Sequence, residues 1–397
     1  MGWLGIDDTD SLNGGCTTEV FHRLIEALPS ETTTGEACLV RLWPFAQRRT
    51  RGNAALAIEL HHPYEDKLLE HLDAWWNAHI LPLKGEVASS TMSSREQHPA
   101  SPGMVWFCEK PSVNHYWAAV RGHVEFDELP AADRSWGHHG RIGATAAAAW
   151  DGTASTWEAI AWRQPLAQGM RRIDEHTLAR LDTWPSLVFS RDPRKGTQLI
   201  APRGHSPVLF GLRSRTSEDA HKGCEMLVDS PGTEGISGWR VFRTNQASGD
   251  HLTASHSLTV RSSEVHSERK HVRLETDQMP VVMFAEGGPV NALGRWVVQG
   301  DRIEVRGLLH PDGSLHAEQA RVLHAVSRKK VRPRCPECNV RMKSMGANQG
   351  IRCPSCKFRS EDGWEDVEPQ CPFLEWVEPH IGDRRHLSRP LSWSLIP

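Results

Sequence analysis

Apolar positions recur along the chain with two different spacings, and the changes of spacing mark where one architecture gives way to another. Gly2 to Ile6 is a short apolar run that predicts a strand, and Thr18 to Leu28 sets Val20, Leu24 and Leu28 on one face of a helix. Ala37 to Leu42 and Ala54 to Leu60 predict two more strands. Asp66 to Ile80 has helical spacing through Leu68, Leu69, Leu72, Trp75 and Trp76. Residues 84–103 are polar, Ser-rich and punctuated by proline, which predicts a loop. Met104 to Phe107 reads as a strand, Tyr116 to Val120 as the start of another element, and Gly140-Arg141-Ile142-Gly143 as a turn running into an alanine-rich helix.

The texture changes near residue 151. Ser155 to Trp162, Leu187 to Phe189 and Pro207 to Arg213 predict strands, and Ala220 to Val228 a helix, a mixture that suits a small ferredoxin-like α+β sandwich over 151–235. From there short strands separated by turns take over: Trp239 to Arg243, Ser257 to Val260, Val281 to Phe284, Trp296 to Val298, Arg302 to Leu309 and Ala320 to Val326. Five or six such strands favour an OB-type barrel over 236–328. A cysteine-rich segment at 329–372 and a tail at 373–397 complete an α+β multidomain chain whose first domain is an α/β unit over 1–150.

Composition narrows this picture. A chain of 397 residues exceeds one compact domain, and 24 % charged with 39 % hydrophobic residues fits a soluble globular protein. No apolar run approaches the roughly 20 residues a membrane helix needs, and the N-terminus lacks the basic and apolar regions of a signal peptide. A cytoplasmic location is therefore expected. The nine cysteines divide into one spaced cluster of four and five scattered, which in a reducing compartment argues for a metal site rather than disulfides.

That cluster is Cys335-Pro336-Glu337-Cys338 and, after fourteen residues, Cys353-Pro354-Ser355-Cys356. Two CxxC knuckles at this distance supply four thiolates to a tetrahedral Zn²⁺ and leave no coordination position open for catalysis. Around them the net charge of −3 conceals a basic run: Arg328, Lys329, Lys330, Arg341, Lys343, Arg352 and Lys357 stand among other arginines, with Glu337 the only acidic residue between 328 and 359. A charge run can be no more than a solvated face. Beside a ribbon and a barrel it predicts polyanion binding.

A second concentration of chemistry lies at the start: Asp7-Asp8-Thr9-Asp10-Ser11-Leu12-Asn13-Gly14-Gly15-Cys16-Thr17-Thr18. Three carboxylates in four residues repel unless they share a proton or a cation, and Mg²⁺ takes carboxylate oxygens together with phosphates. Gly14 and Gly15 let backbone amides approach an anion before a helix start. An acidic turn capped by threonine is the simpler reading of the same residues. The basic turn Thr50-Arg51-Gly52-Asn53 can present a guanidinium and amides to a phosphate or close an ordinary hairpin.

These stretches, in this order, resemble the TiaS family, the archaeal agmatinylcytidine synthetases of the minor, AUA-reading isoleucine tRNA. The resemblance is carried by Gly5 to Ser11 with Cys16-Thr17-Thr18, by Thr50 to Asn53 and Gly140 to Ala144, and by Thr156-Trp157-Glu158-Ala159-Ile160-Ala161-Trp162-Arg163. Pro207 to Arg213, Thr244-Asn245-Gln246 with Asp250-His251-Leu252, and Met342-Lys343-Ser344 with Gln349-Gly350 extend it to about residue 360. It implies a kinase-like catalytic domain, a ferredoxin-like domain, an OB-fold and a zinc ribbon. It also implies a ligase reaction, in which ATP, cleaved to AMP and pyrophosphate, activates C2 of the wobble cytidine of a CAU anticodon and agmatine displaces the activated oxygen. The partners implied are this tRNA and agmatine.

Carried onto the sequence, the resemblance gives Mg²⁺ to Asp7, Asp8 and Asp10, and a phospho-acceptor role to Thr18, or to Thr17 at an offset of one. Nucleotide or phosphate contacts fall to Arg51, Asn53, Arg141 and Gly143, tRNA contacts to the basic residues of the ribbon, and the agmatine guanidinium to Glu158 or Asp174. Trp157 and Trp162 stand where the family usually has tyrosine. A non-catalytic OB/zinc-ribbon protein that binds nucleic acid is the alternative that the same sequence allows.

Overall fold

The structure is a computed structural model that describes residues 1–10, 15–48, 53–85, 98–202, 206–346, 348–361 and 363–393. Gly14, Arg51, Gly52 and residues 86–97 of the predicted polar loop lie outside the described residues. The chain divides into two compact units, Met1–Thr253 with His380–Pro397, and Ala254–Pro379.

The first unit is built on one sheet, ten-stranded among the described residues. Its strands are β1 (Gly2–Asp7), β2 (Thr33–Thr34), β3 (Cys38–Arg41), β4 (Ala54–His61), β5 (Gly103–Phe107), β6 (Arg134–Gly137), β7 (Thr156–Arg163), β8 (Leu187–Val188), β11 (Val208–Ser214) and β12 (Ile236–Thr244). A separate hairpin joins β9 (Arg191–Asp192) to β10 (Thr197–Gln198). The order across the sheet is β6-β5-β1-β4-β3-β12-β7-β11-β8, with β2 on β4. The two halves are fused where β12 runs parallel to β3, pairing Arg243 with Cys38 and Thr244 with Leu39. Every other strand pairing described in this sheet is antiparallel.

Alternation along β1 decides which face each side chain covers. Leu4 and Ile6 meet Phe21 and Leu24 of α1 (Thr17–Glu26) and Leu68 and Leu72 of α2 (Glu65–Trp75), in a core that runs on to Ile160, Trp162 and Phe242. The opposite face carries Val40, Ala55, Ala57 and Val105 against α3 (Asn114–Arg121) and α4 (Gly140–Ala149). The alanines of α4 let this helix lie very close to the sheet. A Cβ on Gly5 would come within 2.2 Å of the Ala144 carbonyl oxygen. Further along, α5 (Glu175–Leu181) and α6 (Ser217–Val228) cover β7 and β11 through Leu178, Leu181, Ala220, Cys224 and Leu227.

The second unit holds a closed barrel in the order β13-β14-β15-β17-β16, made of β13 (His256–Val265), β14 (Val272–Thr276), β15 (Val281–Met283), β16 (Arg302–Leu309) and β17 (Leu315–His324). Helix α7 (Pro289–Trp296) plugs it with Val290 and Leu293. The ribbon adds β18 (Lys329–Val331) paired with β22 (Glu365–Val367), and the sheet of β19 (Lys343–Ser344), β20 (Ile351–Arg352) and β21 (Arg359–Ser360).

The α+β multidomain class expected from the sequence is the class observed, with differences in detail. Ile236–Thr244, placed in the barrel segment 236–328 by the sequence, is the sheet strand β12, and the barrel begins at His256. Trp296, read as a strand start, ends α7. The strand Val272–Thr276 was missed, although its buried and exposed positions alternate strictly. The tail 373–397 divides: Phe373 and Val377 pack with the barrel core, whereas the chain from His380 belongs to the first unit.

Candidate active site and metal centre

The acidic stretch is held at the end of β1 by the start of α4. Gly143 is required there, because a Cβ would lie 1.9 Å from Asp7 Oδ2, and a Cβ on Gly140 would lie 2.5 Å from the Asp7 carbonyl oxygen. The chain turns at Asp8, whose φ of 58° is left-handed. Asp8 N–H donates to Asp7 Oδ1 at 2.7 Å, and Ser101 N–H to Asp8 Oδ2 at 2.9 Å. Burial first, then the neighbouring charge of Asp8, pushes the Asp7 carboxyl well above the usual range. Asp8 is pushed up to about 7, again mainly by burial, with Asp10 adding to the shift and the Ser101 amide and Arg48 opposing it. Dehydrated carboxylates this close together hold protons unless a cation arrives, so the donor set fits a divalent ion.

Asp10 faces the other way. It lines a cavity of about 560 Å³ together with Cys16, Thr17 and Thr18 at the start of α1. Thr17 Oγ1 donates to Asp10 Oδ1 at 3.3 Å and accepts from Thr9 N–H at 3.4 Å. Thr18 Oγ1 is engaged differently, by Cys16 Sγ at 2.9 Å and by the Trp162 indole N–H at 3.2 Å. Trp162 is fully buried and stacks on His22 at 4.8 Å. The indole therefore supplies a donor where the family usually has a tyrosine hydroxyl. Trp157 Nε1, by contrast, is buried without a hydrogen-bond partner among the described residues.

The floor of the cavity is charged. Glu158 of β7 is buried and lies 3.4 Å from Arg41 of β3 and 3.3 Å from Arg213 of β11, and the amide of Gln246 donates to it as well. Dehydration would raise the Glu158 carboxyl, but Arg213, Arg41 and Gln246 overcome it and hold it below the usual carboxylate range. Asn245 clamps β3, its Oδ1 accepting from Arg41 N–H at 2.7 Å and its Nδ2 donating to the Arg41 carbonyl at 3.0 Å. The remaining wall comes from Phe189, Gln198 to Pro202 and the C-terminal residues Ile381 to Ser388. His386 is exposed to the cavity and sits 3.5 Å from Arg213. The charge of Arg41, ahead of burial and Arg213, holds its imidazole well below the usual range and therefore neutral.

The predicted residues are thus sorted into groups. Asp10, Thr17 and Thr18 share the cavity, while Asp7, Asp8 and Gly143 form the adjoining acidic corner under α4. Arg141 lays its guanidinium over Phe126 at 5.0 Å and is absent from the cavity lining. Asn53 closes the turn after β3, donating to the Trp43 carbonyl at 2.6 Å, and Gly15 supplies a left-handed turn at φ 81°. Glu158 lines the cavity, but its carboxylate is already taken by two arginines. Asp174 caps α5 by accepting from Thr177 N–H at 2.6 Å and is not a lining residue. Neither offers an uncommitted carboxylate to agmatine. The sequence reading missed Arg41, Arg213, Gln246 and the C-terminal wall. Gln246 and Arg213 lay inside quoted motifs, whereas nothing near Arg384, Arg385 or His386 marks them locally.

In the second unit the four thiols converge as their spacing requires. Cys335, Cys338, Cys353 and Cys356 place their sulfurs within 4.8 Å of one another, with Cys335 to Cys356 and Cys338 to Cys353 at 3.4 Å. A tetrahedral zinc thiolate site has sulfur–sulfur edges of about 3.8 Å, so the quartet fits the ion with little movement. The two knuckles repeat one geometry. Each turns through a left-handed residue four positions after its first cysteine, Asn339 at φ 57° and Lys357 at φ 70°. Among the described residues this is the only set of three or more His, Cys, Asp or Glu side chains gathered so tightly, and Asp7, Asp8 and Asp10 do not form such a set. Of the basic residues around the ribbon, Lys329, Lys330, Arg341, Lys343 and Lys357 are exposed and Arg352 is half-buried. Arg328 is committed inside the fold, with its guanidinium 2.5 Å from the buried Asp301 and stacked on Trp296 at 3.9 Å.

Fold and site together define a multidomain α+β protein in which a sheet domain carries a charged cavity and a barrel is followed by a four-cysteine ribbon. Three family models match it: the TiaS TCKD domain over 3–69, the TiaS FLD domain over 138–251 and the TiaS C-terminal zinc ribbon domain over 332–368. The chain is 30 % identical to the tRNA 2-agmatinylcytidine synthetase TiaS of Methanosarcina mazei and 28 % identical to that of Methanosarcina acetivorans, in each case over 98 % of this chain and 96 % of the relative. Both relatives are named for the minor isoleucine tRNA as their substrate. A crystal structure of TiaS in complex with that tRNA and ATP matches with a TM-score of 0.75 and 26 % identity, covering 98 % of this chain and 97 % of that one. The chain belongs to the TiaS family of 2-agmatinylcytidine synthetases of the minor isoleucine tRNA.

Proposed function

We propose that this chain is an ATP-dependent ligase that joins agmatine to C2 of the wobble cytidine in the CAU anticodon of the minor isoleucine tRNA, forming agmatidine so that the tRNA reads AUA. Family membership over nearly the whole chain supports the reaction. The observation that carries the site is the placement of Asp10 and Thr17 in one arginine-rich cavity large enough for a nucleotide. A non-catalytic binding protein would have no use for a hydroxyl bonded to a carboxylate at the mouth of such a cavity.

Phosphoryl transfer is mainly positioning and neutralisation of charge. Arg41 and Arg213 supply fixed positive charge on the cavity floor, and Asp10 accepts the hydroxyl proton of Thr17 as that oxygen takes up phosphate. The geometry favours Thr17 over Thr18 as acceptor, because the Thr18 hydroxyl is tied to the buried indole of Trp162. Asp8 and Asp10, with Asp7 behind them, would hold Mg²⁺. When bound, the ion neutralises charge on the transferring phosphate, and a Mg²⁺ site commonly uses only one or two carboxylates and fills its remaining positions with phosphate and water. Once ATP has activated the cytidine oxygen at C2, the primary amine of agmatine forms the C2–N bond and the C2–O bond breaks.

In the second unit, Cys335, Cys338, Cys353 and Cys356 would hold a structural Zn²⁺. Lys329, Lys330, Arg341, Lys343, Arg352 and Lys357 would contact tRNA phosphates, and Arg328 would serve the fold instead. Residues 1–150, 151–253, 254–328 and 329–372 would act as the kinase-like, ferredoxin-like, OB and ribbon parts, and the protein would work in the cytoplasm. Incubation with ATP, Mg²⁺, the minor isoleucine tRNA bearing CAU and labelled agmatine tests the reading. Label is expected in the tRNA and AMP in solution. Absence of label while the tRNA binds would establish the non-catalytic alternative, and preference for putrescine or lysine over agmatine would change the nucleophile.

A further inference from the structure

The C-terminal segment of the first unit is pinned at several points, and between the pins it offers two arginines to the cavity. On one side Asp383 pairs with Arg194 at 2.8 Å, and Gly382 is packed so closely that a Cβ would lie 2.9 Å from Asp192 Oδ2. On the other, the carbonyls of His386 and Leu387 accept from Ala247 N–H at 2.8 Å and Gly249 N–H at 2.9 Å, with the Leu387 side chain buried. Further on, Trp393 stacks on Phe189 at 5.6 Å and lies under Arg215. A segment held this way is a fixed wall, and Arg384 and Arg385 stand in the middle of it as lining residues.

With Arg41 and Arg213, four guanidiniums line one cavity, and among the described residues only two carboxylates line it with them, Asp10 and Glu158. Glu158 is already shared between Arg41 and Arg213. Like charges gathered in one concave site, with one shared carboxylate as their fixed counter-charge, suit a multiply charged anion, and guanidiniums match phosphate oxygens two at a time.

We propose that Arg384 and Arg385 are substrate-binding residues, and that with Arg41 and Arg213 they hold a phosphate group of a reactant in the cavity. This rests on the assignment of the cavity to the ligase reaction. The phosphate belongs either to ATP or to the backbone of the tRNA. Arg384→Ala, Arg385→Ala and the charge-preserving pair Arg384→Lys and Arg385→Lys, each in the full chain, separate these sources. Equilibrium binding of ATP and of the minor isoleucine tRNA is measured without turnover, alongside thermal melting.

Loss of a charge-assisted contact weakens binding about tenfold or more. A loss confined to ATP identifies a nucleotide phosphate, and one confined to tRNA identifies a backbone phosphate. Each lysine variant is expected to recover part of the affinity, so an alanine variant that melts early leaves its lysine counterpart to decide. Unchanged affinity for both ligands in folded alanine variants, or a loss that lysine does not relieve at all, would overturn the proposal. Failure of the wild-type chain to transfer agmatine would instead overturn the ligase assignment, and these binding measurements do not depend on it.

Discussion

The ribbon and the cavity assemble charged or metal-binding side chains by opposite means. In the ribbon the four ligands lie within 22 residues, each knuckle folds on its own turn, and the geometry follows from spacing. In the cavity Asp10, Arg41, Glu158, Arg213, Gln246 and Arg384 come from distant regions of the sequence, and only the sheet brings them together. Local spacing therefore specifies a metal site almost by itself, whereas a long-range site depends on strand order, above all on the parallel junction of β12 with β3.

The contrast predicts different failures. Cys335→Ser should have the largest effect, because structural zinc contributes on the order of 10–16 kcal/mol in small zinc modules. Bound zinc, measured by atomic absorption, should fall from about one per chain toward zero, while the melting of the sheet unit stays unchanged. Zinc content at the wild-type level would show that the thiolates are not the ligands. Next comes the pair of threonines. Thr17→Ala should lower agmatine transfer by at least about a thousandfold, the scale expected when a nucleophile is lost. Thr18→Ala, which removes one hydrogen bond to Trp162, should cost about tenfold or less. The reverse ranking would move the acceptor to Thr18.

Glu158→Gln probes the long-range site through stability. It leaves Arg41 and Arg213 without their shared counter-charge, and breaking a buried ion pair in this way costs about 3–5 kcal/mol. Because the Glu158 carboxyl is held below its ordinary value of 4.5, its contribution is complete above that pH and is lost as the pH falls through the lower folded value. The melting-temperature gap between wild type and variant should therefore be full at pH 7 and shrink in acid. A gap that does not change with pH would show that Glu158 is not stabilised as a carboxylate.

The legibility of the sequence follows the same division. The cysteine quartet, the strand Gly2–Asp7 and the helix after Cys16-Thr17-Thr18 could be read directly, since each rests on spacing or on a single periodic face. Ile236–Thr244 was misassigned because one strand's pattern carries no information about its neighbours, and its partners are β3 and β7. Trp296 looked like a strand start because a short apolar run with β-prone residues is ambiguous between helix and strand. Glu158 was recognised as functional, but not its commitment, since no local signal reveals that Arg41 and Arg213 would claim both of its oxygens. The wall formed by Arg384, Arg385 and His386 was invisible for the same reason.

Whether ATP is used in the cavity beside Asp10 is tested most directly by Asp10→Asn, which keeps the shape of the side chain and removes its charge and its role as base. Agmatine transfer and AMP release are measured beside affinity for the minor isoleucine tRNA in the same preparation. Both reactions should be lost, with tRNA binding within about twofold of wild type. Transfer at the wild-type rate in this variant would contradict the placement of the reaction in this cavity.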